Sequence, residues 1–160
     1  MDILSETDPV DGLASQPNDV YQQTWLQLLR YTKALEQEMS NRFRKHFKQS
    51  LTRFDLLTQL AEKDPQWMAI GKLAQQLLAS NGNITGLVDR MTAEGLIERR
   101  HRSRDRRSVE VGLTDNGRAL HRQMATAHTA WAHVLMSERL PVEKAEQLRS
   151  LLTRDNGAFY

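Results

Sequence analysis

Residues 99–107 read Arg99-Arg100-His101-Arg102-Ser103-Arg104-Asp105-Arg106-Arg107. Six arginines against one aspartate give this stretch +5 in a chain whose net charge is +2, leaving −3 for everything else. Charge packed this densely in an otherwise slightly acidic chain is suited to gripping a polyanion. Asp105 would repel phosphate, so its use there is orientation: a carboxylate can pair with a neighbouring guanidinium and fix its direction. An arginine run alone is equally compatible with a solvated or partner-docking surface. What precedes it weighs against that. Asn81, Asn83, Thr85, Gly86, Asp89 and Arg90 fall on the polar side of a helical pattern beginning behind Ser80. Asn suits an adenine edge, Arg suits guanine or phosphate, and the Ser80 end offers backbone N–H groups to an anion.

Those side chains need a frame. Trp25, Leu28, Leu29, Thr32, Leu35, Met39, Phe43 and Phe47 recur at helical spacing behind a capping Asn18 or Asp19. No Gly or Pro interrupts residues 18–64, which is too long for one ordinary helix, and Ser50 or Thr52 marks a break with a new cap. The second helix carries Phe54, Leu57, Leu60 and Ala61 and ends at Asp64-Pro65. The stretch Trp67 to Leu78 reads as a third, short helix with Ile70, Leu73, Ala74 and Leu77 inward. After the turn at Ala79-Ser80-Asn81-Gly82, a fourth helix buries Ile84, Leu87, Val88 and Met91 and stops at Gly95. The period then changes to two. Leu96 to Arg99 and Ser108 to Leu113 predict two strands flanking a charged tip. Thr114 caps a long fifth helix with Leu120, Met124, Ala127, Trp131, Val134 and Leu135 inward, and Pro141 precedes a last helix ending at Asp155-Asn156-Gly157.

Helix, tight turn, helix and hairpin make a winged helix-turn-helix. The fold class is mainly α (α+β), with a two-stranded β wing flanked by N- and C-terminal helices. The second helix of the pair can enter the DNA major groove, about 12 Å wide, N-terminus first. Gly82 and Gly86 each weaken such a helix by about 1 kcal/mol relative to Ala. Close approach of backbone to DNA and close packing on the third helix both account for them.

Composition narrows the function classes. The chain has 160 residues, 39% hydrophobic and 26% charged, which suits one domain with appended helices. Aromatics are 6%, too few for a base-stacking sheet, and Cys is 0, which excludes disulfides, thiolate metal sites and thiol redox sensing. No apolar run reaches the roughly 20 residues of a membrane span. No basic stretch followed by an apolar one opens the chain, so a cytoplasmic protein without membrane partners is expected. No catalytic residues are assigned: there is no Gly-rich phosphate loop, no H-E-x-x-H and no G-x-S-x-G. Glu94 and Glu98, four apart, read as a helix end rather than an acid/base pair. His121, His128 and His133 lack metal-ligand spacing, so no metal and no cofactor is expected.

The segment Leu87-Val88-Asp89-Arg90-Met91-Thr92-Ala93-Glu94-Gly95-Leu96-Ile97-Glu98-Arg99-Arg100 resembles the signature of MarR-type transcriptional regulators. Asp105-Arg106-Arg107 and Val109-Glu110-Val111-Gly112-Leu113-Thr114-Asp115-Asn116-Gly117 are similar to that family's wing and the start of its long helix; Leu73-Ala74 and Ile84-Thr85 fit the stretch before. The clear likeness spans about residues 51–122. It implies a homodimer with intertwined terminal helices on a pseudo-palindromic operator in double-stranded DNA, a fourth helix in the major groove, and Arg107, held by Asp105, in the minor groove. Arg102 and Arg104 depart from the family, which often has Asp or Pro there. The division that follows is an acidic, mobile tail over 1–17, a dimerisation helix over 18–48, the DNA-binding region over 49–114, and a long helix with a C-terminal dimerisation helix over 115–160. The DNA-binding candidates are Ser80, Asn81, Asn83, Thr85, Gly86, Arg90, Arg102, Arg104, Asp105, Arg106 and Arg107.

Broad apolar stripes on the first and last two helices, with no other domain to cover them, independently favour a C2 dimer. The resemblance also implies a repressor released by a small ligand, such as an aromatic acid or its thioester. Trp25, Arg30, Tyr31, Phe54, His128 and Trp131 are the candidates to line its cleft, with dimer-core packing as the alternative for each. The competing function is a sequence-independent architectural DNA-binding protein, served by the arginine run alone.

Overall fold

The computed structural model describes residues 19–62, 67–77, 79–102 and 105–153. The expected tail over 1–17, the stop at Asp64-Pro65 and the stop at 155–157 lie outside them. The chain divides into two units, residues 1–37 and 38–160. The first holds the N-terminal part of α1 (Val20–Phe47). Asp19 Oδ1 accepts from the Tyr21 N–H at 2.9 Å, the expected local cap. Val20, Tyr21, Trp25, Leu26, Leu28 and Leu29 of this part are exposed, Tyr21 by 82%.

The second unit begins within α1 and continues through α2 (Leu51–Ala61), β1 (Met68–Ala69), α3 (Ile70–Gln76), α4 (Asn81–Ala93), β2 (Ile97–Arg102), β3 (Asp105–Leu113), α5 (Asp115–Ser137) and α6 (Val142–Thr153). α1 ends without Gly or Pro. Lys48 takes the left-handed conformation at φ 57° instead, and Ser50 Oγ accepts from the Arg53 N–H at 3.2 Å to start α2. α4 stops at Gly95, whose φ of +71° is the left-handed turn that a side chain resists; the Leu96 N–H closes it on the Met91 carbonyl at 3.0 Å.

Two expectations need correction. The two-stranded wing is present as the antiparallel pair β2–β3, but a third strand, unexpected from the sequence, joins it in an antiparallel sheet of order β1-β3-β2. The extra strand comes from the expected third helix: Met68 pairs with Val111 and Ala69 with Glu110, so α3 starts only at Ile70. Burial of Met68 against the sheet wins over its helix propensity, since tertiary contacts override local preference. The strands also run further than the apolar alternation indicates. The ladder continues to an Arg102–Asp105 pair, with an irregularity between His101 and Arg102. Most of the arginine run is therefore strand, not tip.

Every element of the second unit except α6 contributes buried apolar residues. Phe43 is wholly buried among Phe54 at 4.9 Å, Trp131 at 5.4 Å and Phe47 at 6.1 Å between ring centroids. Ile84, Val88 and Met91 of α4 are buried, as are Ile97, Val111 and Leu113 of the sheet. No buried side-chain N or O among the described residues lacks a hydrogen-bond partner. α5 is seated by Gly117, because a Cβ there would lie 2.1 Å from the Leu96 carbonyl oxygen. Thr114 completes the seat: its Oγ1 accepts from the Gly117 N–H at 3.0 Å and donates to the Gly95 carbonyl at 2.7 Å.

Candidate nucleic-acid interface

α4 is capped as the sequence indicates. Ser80, at φ −68° and ψ 145°, accepts the Asn83 N–H on its Oγ at 3.3 Å. One of the four orphan N–H groups of the helix start is thereby satisfied inside the protein. Ile84, Leu87, Val88 and Met91 face the core. Asn83, Thr85 and Arg90 are exposed on the opposite side, with Gly86 half-buried. The geometry thus brings Ser80, Asn83, Thr85, Gly86 and Arg90 to one outward surface. The side chains of Asn81, Arg102, Asp105, Arg106 and Arg107, and all of Arg104, lie outside the described residues.

The structure removes one of the two accounts of the α4 glycines. A Cβ at Gly82 would meet nothing within 4 Å, and one at Gly86 would meet only the Arg90 Nη1 at 3.7 Å. Neither glycine serves packing on α3. Gly82→Ala and Gly86→Ala are expected to stabilise the fold by about 1 kcal/mol each while weakening DNA binding. A thermal melt beside a DNA titration checks both signs. Equal or tighter binding would remove the close-approach account.

Asp89 lies on the polar side of α4, as the sequence indicates. It is exposed on the same helix but accepts a charge-assisted hydrogen bond from Arg99 Nη2 on β2. Arg100 is also engaged: its guanidinium carbon lies 4.3 Å over the Trp67 ring, and it pairs with Glu110 at 2.9 Å. Two arginines of the run therefore brace the wing. Glu110 carried no sequence signal, because the irregularity between His101 and Arg102 shifts the register, and counting outward from the Arg102–Asp105 pair does not lead to the Arg100–Glu110 pair. Trp67 carried no such signal. Nor did Arg53, whose guanidinium bonds Gln49 Oε1 at 2.6 Å and Glu94 at the end of α4.

The candidate ligand residues fall in both units. Trp25 and Arg30 are exposed and Tyr31 half-buried, all in the first unit. Phe54 and His128 share a recess of about 350 Å³ with Asp55, Thr58, Gln59, Gln76 and Leu77. Trp131 lines a different one, about 280 Å³, with Glu38, Asn41, Arg42, Lys45 and His46. The aromatic wall and the cations suited to a carboxylate thus meet at Trp131, and the Phe54 recess holds Asp55 with no Lys or Arg.

His128 stacks on Phe54 at 4.9 Å, and His121 lies 5.9 Å from the same ring with its Nε2 3.2 Å from Thr58 Oγ1. Partial burial lowers both histidines below their ordinary 6.5; Glu62 raises His121 and Arg122 lowers it further. A histidine with a lowered folded pKa binds more protons when unfolded, so stability rises with pH. Its contribution is complete above 6.5 and is lost as pH falls from there through the folded values. Thermal melts from pH 7.5 down to 5 should show this loss, and His121→Gln with His128→Gln should flatten it.

Residues 50–109 match the family model described as MarR family. An uncharacterised HTH-type transcriptional regulator of Bacillus cereus (strain ATCC 10987) is 28% identical over 130 residues, covering 81% of this chain and 84% of the relative. AbsC, a MarR family transcriptional regulator from Streptomyces coelicolor, superposes with a TM-score of 0.75 at 23% identity, over 86% of this chain and 92% of that one. Sco3205 from the same organism, solved in complex with DNA, gives 0.74 at 20% identity, over 87% and 89%.

Proposed function

We propose that the chain is a MarR-type winged helix-turn-helix regulator, its residues 50–109 matching the MarR family model, and that it acts as a homodimeric repressor of a pseudo-palindromic operator, released by a small ligand. The observation that carries DNA reading is α4 itself: a capped helix whose outward side presents Ser80, Asn83, Thr85, Gly86 and Arg90. An arginine-dense wing follows it directly. Sco3205, of the same fold, was solved in complex with DNA. In this reading α4 enters the major groove, and the wing tip, with Arg102, Arg104, Asp105, Arg106 and Arg107, reaches the minor groove. It is a binding protein and not an enzyme.

Dimerisation is supported within each unit. In the first, the N-terminal part of α1 exposes its large apolar residues; in the second, α6 buries none of its residues and leaves Val142, Leu151 and Leu152 exposed. Apolar surface of this kind asks for a cover, and a second copy supplies two half-sites at once. For the ligand, Trp131 with Lys45 and His46 suits an aromatic carboxylate, while Arg42 of the same recess is paired with Glu38 at 2.9 Å. No helix among the described residues is long and apolar enough to cross a membrane.

The test is fluorescence anisotropy on the DNA upstream of the protein's own gene against scrambled DNA, at two salt concentrations, with light scattering for mass. Selective binding by a dimer, released by one compound from a panel of aromatic acids and thioesters, supports the proposal. Equal binding to both DNAs with a steep salt slope supports the architectural role instead. A monomeric mass at micromolar concentration removes the dimer.

A further inference from the structure

The outward-reading helix α4 carries two carboxylates towards its C-terminal end, Asp89 and the capping Glu94, and each is held by an arginine from a different element. Arg99 of β2 takes Asp89, and Arg53 of α2 takes Glu94. The Arg53 side chain is only 13% exposed. Its backbone N–H is already fixed by Ser50 and a second guanidinium nitrogen by Gln49, so it meets Glu94 from a rigid base. Asp89 is 56% exposed. An exposed ion pair adds little to stability, because water and salt screen it and ordering two side chains offsets the attraction. Geometry is what such a pair can set. One ties α4 to the wing, the other ties α4 to α2, and between them they limit how the helix can turn about its own axis relative to the sheet.

Resting on the function proposed above, we propose that Arg53 and Arg99 are positioning residues for base reading. By gripping Glu94 and Asp89 they hold α4 in the one orientation that presents Asn83, Thr85 and Arg90 together, and they make no DNA contact themselves. Bare charge predicts the opposite of positioning for one variant. Asp89→Asn removes a negative charge from a helix facing phosphate, so electrostatics alone tightens binding to every DNA. Positioning instead weakens operator binding by about tenfold, with scrambled DNA held as well or better.

The experiment compares the full chain with Asp89→Asn, Arg53→Met and the double variant Asp89→Asn/Arg99→Gln. Anisotropy on operator and scrambled DNA is read alongside a melt, and amide hydrogen exchange is followed in α4 without DNA. Positioning expects a lower operator-to-scrambled ratio in each single variant and a Tm shift of no more than about 4 °C. It expects faster exchange in the second half of α4, and a double variant no worse on operator than Asp89→Asn. Operator binding by Asp89→Asn that is unchanged or tighter overturns it, as does a loss that merely follows a collapse in Tm. If the parent fails to distinguish operator from scrambled DNA, the proposed function falls. The exchange measurement still decides the clamps, since unchanged α4 exchange in Arg53→Met and Asp89→Asn removes them.

Discussion

Phe43→Ala is expected to lower the unfolding free energy by about 3–5 kcal/mol, the range for a fully buried phenylalanine whose cavity cannot collapse. The site has little room to relax. Phe43 is wholly buried, and its ring is in contact with Phe54 of α2 and with His128 and Trp131 of α5. Each neighbour is itself held: Phe54 stacks on His128, and Trp131 lies across Phe47. Phe43→Leu keeps most of the volume and is expected to cost less than half as much, so the pair separates cavity formation from loss of the aromatic contacts. Urea titration with the m-value checked for constancy reads the difference. A cost for Phe43→Ala near 1 kcal/mol would show that α1 can peel away from α2 and α5 without disturbing the core.

The parts of this fold that were legible in the sequence are those governed by local chemistry. Ser50, Ser80 and Thr114 each cap the helix expected of them, because the hydroxyl reaches an N–H only three residues ahead. Gly95 stops α4 for an equally local reason. What was not legible depends on distant segments. Met68 and Ala69 become strand only because β3 arrives alongside them. Arg99, Arg100 and Arg102 are poor advertisements for a strand, yet the hairpin ladder carries them. At the candidate interface the residue types on α4 could be read directly from the sequence. The partners of Asp89 and Glu94 could not, since nothing local links α4 to Arg99 or Arg53. His128 and Trp131, three apart on α5, share the Phe43 cluster, as that spacing allows, and line two separate recesses.

Arg107→Ala is expected to weaken operator binding by about 10- to 100-fold, the cost of a specific arginine contact, and to lower the salt slope by about one. Arg99 and Arg100 show why the tip side of the run is the place to look. Both are occupied inside the protein, by Asp89 and by Glu110 with Trp67. Asp105 gives the sharper result. As a bare negative charge beside DNA, its removal would tighten binding. As the group that orients Arg107, two residues along β3, its removal should weaken operator binding nearly as much as losing Arg107 itself. A double variant should then cost little more than either single one, because a guanidinium already lost cannot be misdirected. Arg102→Ala and Arg104→Ala, run in the same anisotropy series, identify the inserted side chain. The arginine whose loss is non-additive with Asp105→Ala is the one it holds, and tighter binding by Asp105→Ala would assign that residue to repulsion.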